Sequence, residues 1–464
     1  MTFDPHFAAD GTPDLPILAF GKPAFKKWLE AQPAGRRGWV TAAGFTAEPG
    51  SVCLLPDDKG AIEAALFGWD KEDFWSWAAL PAKLPAGAWR IDAALTPAQA
   101  DSAALAWGLA NYEFRRYKSA AKAEQPKPRL SWPAAAGREA VLRLLSSIGL
   151  ARDLVNTPAN DMGPEELAAV AGGLAHKHGA EIRIVVGDAL LAENYPTIHA
   201  VGRAAAAHRA PRLIDLRWGD PAHPKLTLVG KGVCFDSGGL DLKPASGMKI
   251  MKKDMGGAAV GLGLADAIMD AKLPVRLRLL VPAVENAVSG DAFRPLDIIK
   301  TRKGLTVEIG NTDAEGRLIL CDALAEADGE KPDLLLNFAT LTGAARTALG
   351  PDLPALFTRH DTLADQLLKA GTQTHDPLWR LPLWAPYRRM LDSKIADINN
   401  ASDNPHAGAI TAGLFLAEFV SPQTEWAHLD LFAWNPSARP GRPEGGEAMA
   451  LRALYAAILQ RYAS

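Results

Sequence analysis

The chain has 464 residues, with 50 Lys and Arg against 53 Asp and Glu and a formal net charge of −3. Hydrophobic residues make up 48% and charged residues 22%, which is typical of a globular protein with a large core. The balanced charge excludes strong attraction of the whole protein to nucleic acid or an anionic membrane. Cys53, Cys234 and Cys321 show no CxxC spacing, which excludes a disulfide scaffold and a cysteine zinc cluster and fits a reducing compartment.

The beginning of the chain predicts no signal peptide, because MTFDPHFAADG lacks a basic segment followed by an apolar one. No run reaches the roughly 18 apolar residues of a membrane helix. The longest candidate, residues 407–420, is shorter and contains Glu418. We therefore expect a cytoplasmic protein with no membrane partner.

The first part of the chain, residues 1–130, is predicted to form a small α/β domain, with an exposed linker from about residue 119. Residues 119–133 hold three prolines and several charges, a composition typical of linkers. The domain is rich in tryptophan, which favours an aromatic core. Its basic residues could contact nucleic acid, but the simpler interpretation is a solvated face. They are Arg115, Arg116, Lys118, Lys122, Lys127 and Arg129.

The remainder, residues 131–464, is predicted to be a linking helix followed by a larger α/β domain. Apolar spacing predicts helices at 134–155, 165–178 and 256–270. Strand patterns occupy 181–187, 211–218, 225–230, 275–279, 334–338 and 426–431. Alternating strands and helices predict a mostly parallel or mixed sheet flanked by helices.

Charged residues follow several of these strands, at the sheet edge where α/β proteins bind ligands. Lys231, Asp236 and Lys243 lie in a glycine-rich stretch after the strand at 225–230. Glycine allows close approach of the backbone to a ligand, although such stretches are also ordinary surface loops. Asp254 precedes a helix, where the simplest interpretation is an N-cap.

Asp313 and Glu315 form a third cluster, followed by Arg317. In an extended segment these three alternate residues would share one face. Two close carboxylates need a cation, a shared proton or water, although a polar helix start with a salt bridge is the alternative.

Together the clusters predict a site for two divalent ions, because several carboxylates and a bridging water form dinuclear hydrolase centres. No HExxH motif is present, which excludes the common single-zinc peptidase design. Oxygen-rich ligands with one nitrogen would accept Zn²⁺, Mn²⁺, Co²⁺ or Mg²⁺. His428 lies in a predicted strand and is interpreted as a core histidine.

The motifs resemble those of the leucyl aminopeptidase (cytosol aminopeptidase) family over roughly residues 135–464. The octapeptide NTDAEGRL at 311–318 is that family's signature. The order and spacing of the other segments agree: NTP at 156–158, VGKG at 229–232, FDSGG at 235–239, KP at 243–244, MKKDMGGA at 251–258, ATLTG at 339–343, AD at 396–397 and WAHLD at 426–430.

The resemblance implies a set of ligands for two metal ions. Asp236 and Glu315 would bridge the ions. Lys231 and Asp254 would complete the shell of one ion, and Asp313 that of the other. The metals would be Mn²⁺ or Zn²⁺, with Mg²⁺ or Co²⁺ as alternatives.

The resemblance also implies catalytic and substrate-binding residues. Lys243 would stabilise the oxyanion, and Arg317 would hold a bicarbonate ion that acts as general base on the bridging water. The positions that would line the pocket for the first side chain, unless they are only core packing, are Met251, Asn311, Thr340 and Gly343. A methionine-lined apolar pocket suits leucine-like side chains.

The implied activity is release of the amino-terminal residue from short peptides by attack of the bridging water, in a homohexamer whose active sites face an inner cavity. An alternative function is architectural DNA binding through the same hexamer, but the net charge of −3 makes a nucleic-acid partner the weaker prediction. A dinuclear phosphatase is a third possibility, but neither its histidine ligands nor a phosphate-cradling element is found.

Overall fold

The computed structural model describes residues 6–119 and 126–463. The chain divides into two units, one of Met1–Gly149 with Ser437–Glu444 and one of Leu150–Pro436 with Gly445–Ser464. The predicted division into domains at residue 130 stays a prediction. The predicted linker falls partly at 120–125, outside the described residues, and so does Lys122.

The first unit contains a mixed sheet with helices. In its described part the strand order is β2-β3-β1-β4-β5, with β1 parallel to β3 and β4 and with β2 antiparallel to β3. The strands are β1 (Leu15–Phe20), β2 (Val52–Pro56), β3 (Ile62–Gly68), β4 (Gly87–Asp92) and β5 (Pro128–Leu130). The helices are α1 (Lys22–Glu30), α2 (Ala34–Ala42) and α3 (Pro97–Ala110). The predicted small α/β fold of this region is confirmed.

Two details of the first unit differ from expectation. Pro128–Leu130 pairs with β4 and Leu130 is fully buried, so this part of the predicted linker belongs to the sheet. Trp77, Trp89 and Trp107 are buried as expected, but Trp39 is 50% exposed. Its indole Nε1 donates to the carbonyl oxygen of Leu54 at 2.9 Å, which satisfies its polar atom at the surface.

The basic residues of the first unit are partly neutralised by one carboxylate. Lys127 Nζ donates to Glu113 Oε1 at 2.8 Å, and Arg115 forms an ion pair with Glu113 Oε2. Arg116 and Lys118 are exposed. The positive charge available for a nucleic-acid groove is therefore smaller than the sequence count suggests.

The second unit contains a large mixed sheet. The strands are β6 (Glu181–Val186), β7 (Arg212–Trp218), β8 (Lys225–Gly230), β9 (Gly232–Asp236), β10 (Arg276–Asn286), β11 (Ile298–Lys300), β12 (Thr306–Glu308), β13 (Leu334–Ala339), β14 (Ala355–Thr358), β15 (Trp379–Arg380), β16 (Ile398–Asn399), β17 (Trp426–Asp430), β18 (Trp434–Asn435) and β19 (Gly445–Gly446). Over residues 126–463, nine strands form one sheet in the order β15-β14-β17-β13-β8-β10-β7-β6, with β9 paired to β10.

The centre of this sheet is parallel and its flanks are antiparallel. β17, β13, β8 and β10 run parallel, whereas β14 is antiparallel to β17 and β7 is antiparallel to both β10 and β6. Central strands are mostly apolar and almost continuously buried, as in β8, where Leu226, Leu228 and Val229 are fully buried. Such runs are typical of strands covered on both faces, and the predicted mixed sheet flanked by helices is confirmed.

Helices connect and cover these strands. They are α4 (Arg138–Asn156), α5 (Pro164–His178), α6 (Ala189–Ala192), α7 (Pro196–Gly202), α8 (Ala245–Met248), α9 (Gly256–Asp270), α10 (Glu315–Gly329), α11 (Gly343–Leu349), α12 (Asp361–Gln373), α13 (Gly408–Ala417) and α14 (Leu451–Tyr462). α4 begins four residues later than predicted, because Pro133 and Ala136 close a turn before it. Within the described residues, no helix is long and apolar enough to cross a membrane.

The start of α9 lies unusually close to the central strands. A Cβ atom on Gly257 would be 2.2 Å from the carbonyl oxygen of Phe338 at β13, and one on Gly230 would be 2.7 Å from Ala258 Cα. Glycine is required here because any side chain would separate helix and sheet. The carboxyl ends of β8, β13 and β17 therefore open onto the residues just before α9.

Candidate metal centre

Three carboxylates meet at this edge of the sheet. Asp236 ends β9, Asp313 lies in the turn before α10, and Glu315 is the first residue of α10. One carboxylate oxygen from each lies within 4.8 Å of the others. The expectation of an extended segment is wrong, because α10 begins at Glu315, yet the turn brings both side chains to the same place.

Glu315 is the carboxylate of this cluster that points most clearly to a cation ligand. It is 1% exposed, and neither Oε1 nor Oε2 has a hydrogen-bond partner among the described residues. Lys231 Nζ lies 2.8 Å from Oε1 in an ion contact that lacks hydrogen-bond geometry. Burial and then the charge of Asp236 hold the pKa of Glu315 well above its usual value, because both oppose ionisation.

Lys231 and Asp254 form a buried ion pair beside Glu315. Lys231 Nζ lies 2.7 Å from Asp254 Oδ2 and donates to the carbonyl oxygen of Thr340 at 3.2 Å. Burial lowers the pKa of Lys231, but Asp254, Glu315 and Asp236 outweigh it and raise that pKa. A Cβ on Gly316 would lie 2.5 Å from Lys231 Cε, which explains the glycine after Glu315.

Asp254 is not the N-cap that its sequence position alone suggests. It lies in a 3₁₀ helix, Met251–Met255, and α9 has no side-chain cap. Its Oδ1 instead accepts from the Thr340 hydroxyl at 2.7 Å. Burial raises the pKa of Asp254, but Lys231, Lys253 and Thr340 together outweigh burial and lower it to about 2. Asp254 is therefore held ionised by Lys231 and Thr340.

Lys243 faces the other two carboxylates. Its Nζ lies 2.8 Å from Asp236 Oδ2 and contacts Asp313 Oδ1. Burial and the charge of Asp236 raise the pKa of Asp313 to about 6, although Lys243 opposes them. Asn286 Nδ2 donates to the other oxygen of Asp236 at 2.9 Å, which orients this carboxylate.

The donor set fits divalent cations. Asp236, Asp254, Asp313 and Glu315 offer oxygens, those of Glu315 being buried and without hydrogen bonds, and Lys231 would offer one nitrogen once a bound ion displaces its proton. Hard divalent cations prefer carboxylate oxygens, and borderline ones also accept nitrogen. Cations placed among these carboxylates would remove the repulsion that raises the pKa of Glu315.

A cavity of about 360 Å³ opens beside the carboxylates. Lys231, Asp236, Lys243, Asp254, Asp313 and Glu315 line it, and so do the predicted pocket residues Met251, Thr340 and Gly343. Asn311, also predicted for the pocket, is not among the lining residues. Its side-chain oxygen accepts from the Asp313 amide at 2.7 Å, which stabilises the turn that holds Asp313.

Arg317 lies deeper, outside the lining of the cavity. It is 8% exposed, and its Nη1 donates to the carbonyl oxygen of Asn400 at 2.6 Å. Its Nε has no hydrogen-bond partner in the described part of the chain. Burial lowers the pKa of Arg317 to about 10, with Glu315 opposing. A guanidinium with a spare donor is suited to an oxyanion.

His428 lies in β17 and is fully buried. Its Nδ1 is 2.9 Å from Asn337 Nδ2, and its ring stacks on Phe357 with centroids 5.8 Å apart. Burial lowers the pKa of His428 to about 3. The core interpretation holds, although Nε2 lacks a hydrogen-bond partner within the residues described.

The lining residues to which the sequence interpretation gave no role include Lys253, Arg346 and Phe432. Lys253 was visible in the Lys252-Lys253-Asp254 run, but only the 3₁₀ geometry decides which lysine faces the cavity. Arg346 lies on α11 and Phe432 follows β17. Neither belongs to the motifs that indicated the site.

Comparison with known proteins gives consistent matches. The model of the cytosol aminopeptidase family, catalytic domain, matches residues 149–455, and that of the M17 aminopeptidase N-terminal domain matches 15–130. A probable cytosol aminopeptidase of Geobacter sp. (strain M21) is 41% identical over 372 residues, which span 77% of this chain and 75% of the relative.

Solved structures agree with the fold. The crystal structure of cytosol aminopeptidase from Coxiella burnetii has a TM-score of 0.94 and 50% identity, covering 99% of this chain and 100% of that chain. The bottromycin maturation enzyme BotP in complex with Mn has a TM-score of 0.86 and 35% identity, covering 97% and 99%. These matches confirm the resemblance found in the motifs: the chain belongs to the cytosol aminopeptidase family.

Proposed function

We propose that the protein is a metal-dependent aminopeptidase that holds two divalent ions and releases the first residue of short peptides. The observation that carries this proposal is Glu315, a buried carboxylate whose two oxygens have no hydrogen-bond partner among the described residues. It stands among other carboxylates beside a peptide-sized cavity. The family names of the relatives and the Mn complex of BotP support the same chemistry.

Five side chains would hold the two ions. Asp236 and Glu315 would lie between them, Lys231 and Asp254 would complete one shell, and Asp313 the other. The ions would be Mn²⁺ or Zn²⁺, with Mg²⁺ or Co²⁺ as alternatives. When bound, they would supply Lewis acidity toward the peptide carbonyl and lower the pKa of the attacking water.

Lys243 is placed to stabilise the charge that develops on the scissile carbonyl oxygen. Its ammonium lines the cavity, next to Asp236 and Asp313. Those carboxylates keep it protonated: burial lowers the pKa of Lys243, but Asp236, Asp313 and Glu315 together outweigh burial and raise it. A fixed donor aimed at a developing oxyanion lowers the barrier without reorganisation.

Arg317 would hold bicarbonate, which would supply a general base for the attacking water. The Nε of Arg317, which lacks a hydrogen-bond partner within the described residues, supports an anion at this position. Arg317 keeps its charge at neutral pH, because its pKa of about 10 remains above the pH. A guanidinium favours planar oxyanions.

The test is hydrolysis of a leucine-initiated dipeptide and of its N-acetylated twin. The carboxylates around Asp254 favour a free α-amino group, and an acetylated one loses its basicity. We expect chelator-stripped enzyme to be inactive, and added Mn²⁺ or Zn²⁺ to restore cleavage of the free peptide alone.

Two results would overturn the proposal. Activity that persists after the chelator is removed and no ion is added would exclude metal dependence. Equal cleavage of both peptides would exclude recognition of the free amine. The control is enzyme reloaded with Ca²⁺, which prefers more oxygen ligands than this site offers.

Three finer properties belong to the same proposal. The pocket would accept leucine-like residues, because Met251, Leu341 and Leu431 contribute apolar lining. The protein would act in the cytoplasm, as the relatives' name suggests.

It would form a homohexamer, and the exposed Leu296, Ile298 and Ile395 on or near one small sheet, β11-β12-β16, favour burial in an assembly. Sedimentation velocity measures that state.

A further inference from the structure

We propose that Lys253, Phe432 and Arg346 form a subsite that binds a carboxylate carried by the substrate peptide. This inference rests on the proposed aminopeptidase function and deepens it by naming a class of substrate, peptides with an acidic group near the amino terminus. These three residues line the cavity next to the candidate metal ligands. None of them is among the residues proposed to hold ions or to act on the carbonyl.

Lys253 is a buried cation without a hydrogen-bond acceptor in the described structure. It is 5% exposed. Its Nζ has two contacts, Asp254 Oδ1 at 3.5 Å and the ring of Phe432 at 5.4 Å from the centroid. Asp254 Oδ1 already accepts from Thr340 at 2.7 Å. A buried ammonium in this position has donors to offer to a ligand in the cavity.

Arg346 places a second cation on the same aromatic ring. Its Cζ lies 4.8 Å from the centroid of Phe432, and α11 projects its exposed side chain beside the cavity. The ring of Phe432 thus carries cation–π contacts from both Lys253 and Arg346, which hold the two charges near each other. Two cations around one apolar ring suit a side chain with methylenes and a terminal carboxylate.

The other cations of the cavity are already occupied. Lys231 contacts Asp254 and Glu315, and Lys243 contacts Asp236 and Asp313. Each therefore faces two carboxylates, whereas Lys253 shares one and Arg346 has none among the described residues. The positive charge left for substrate is concentrated at Lys253 and Arg346, and an anionic group would be attracted there.

The carboxylate has three sources in a peptide, and paired substrates separate them. Glutamyl-alanine amide against glutaminyl-alanine amide tests the first side chain. Leucyl-glutamyl amide against leucyl-glutaminyl amide, both amidated at the main-chain carboxyl group, tests the second side chain. Leucyl-alanine against its amide tests the terminal carboxylate. In at least one pair we expect kcat/KM to favour the acidic member about tenfold or more, the usual strength of a charged hydrogen bond.

The variants are Lys253→Met and Arg346→Met. Each keeps an unbranched apolar side chain and removes the positive charge. Each should bring the favoured pair close to equal kcat/KM. Lys252→Met is the matched control: Lys252 is the neighbouring lysine, its Nζ donates to the carbonyl oxygen of Asn156, and it does not line the cavity. It should keep the wild-type discrimination. Metal content is measured for all variants, and if Lys253→Met loses ions, Arg346→Met decides.

A second readout needs no turnover. Calorimetric binding of L-glutamate and L-glutamine to metal-loaded enzyme should favour glutamate if the first side chain is bound, and Lys253→Met should remove the preference. If no peptide is cleaved at all, the proposed function fails, and this binding measurement alone decides the subsite. The inference is overturned if no pair discriminates and glutamate binds no better than glutamine, or if the charge-removing variants keep the discrimination.

Discussion

The two ends of helix α10 place a glutamate in opposite surroundings, with Glu326 half-buried and Glu315 fully buried. At its last turns, Glu326 Oε1 accepts from Arg278 Nη2 at 2.7 Å and Oε2 contacts Arg302. Burial raises the pKa of Glu326, but Arg278 and Arg302 together outweigh burial and lower the pKa. At its first residue, Glu315 has no hydrogen-bond partner within the described chain and its pKa is raised.

The comparison separates structural charge from functional charge. In an ion pair that only stabilises the fold, protein side chains supply the hydrogen bonds and the opposite charges that each ionised group needs. A buried carboxylate left incomplete is destabilising unless a ligand completes it, and such groups concentrate at functional sites. The difference therefore indicates that the amino-terminal end of α10, at Glu315, belongs to the functional site.

The largest expected effect comes from Glu315→Gln. The metal-loaded variant should lose at least about a thousandfold in kcat/KM, because several kcal/mol of charge stabilisation depend on the ions. The ion-free variant should be as stable as wild type or more stable, because a neutral amide replaces a buried carboxylate without hydrogen bonds, and Lys231 keeps Asp254 as its charged partner. Peptide hydrolysis and urea denaturation measure the two quantities. A strongly destabilised ion-free variant would remove the contrast with Glu326.

Lys243→Ala should lower kcat by about a hundredfold to a thousandfold, the usual loss of one oxyanion donor. The ions should remain bound, because Lys243 contacts the carboxylates but supplies no ligand. Steady-state kinetics and metal analysis on the same sample give both results. Loss of the ions would assign Lys243 to ion binding instead.

Glu326→Gln is the matched counterpart of Glu315→Gln on the same helix. We expect the free energy of unfolding to fall by about 2 kcal/mol, because Arg278 and Arg302 lose a charged partner. The metal-loaded variant should keep wild-type kcat/KM below its melting temperature. Unchanged stability together with lost activity would contradict this account, because Glu326 would then have a functional role and not a structural one.

His428 shows a third solution, a buried group that stays neutral. Its pKa is about 3 when folded and about 6.5 when unfolded. The unfolded chain therefore binds a proton that the folded chain excludes as pH falls below 6.5. We therefore expect His428 to lower the free energy of unfolding by about 2 kcal/mol between pH 7.5 and pH 5. His428→Gln should remove that part of the pH dependence in urea denaturation, and identical profiles would refute it.

The sequence predicted those parts of the site that depend on strand ends. The strand pattern at 225–230 located β8, so Lys231 was expected at the carboxyl edge, whereas Thr340, after β13, was expected only from the family resemblance. The turn residues of the 311–318 motif located Asp313 and Glu315. These features are local in the chain, and local patterns determine strands, turns and their order.

The remainder depended on contacts between distant segments. Asp254 was interpreted locally as a cap, but the approach of Thr340 and Lys231 gives it another partner. The cation pair on Phe432 joins residues from a 3₁₀ helix, α11 and the end of β17. Spacing along the chain does not encode such a juxtaposition, because it arises only when the sheet assembles.

The central claim is that Glu315, whose two oxygens accept no hydrogen bond within the described chain, serves to bind ions, and calorimetric titration with Mn²⁺ tests it most directly. Metal-free wild type and Glu326→Gln should each bind two ions per chain. Glu315→Gln should bind fewer than two, or bind them at least about tenfold more weakly. Two ions bound by Glu315→Gln with wild-type affinity would contradict the account.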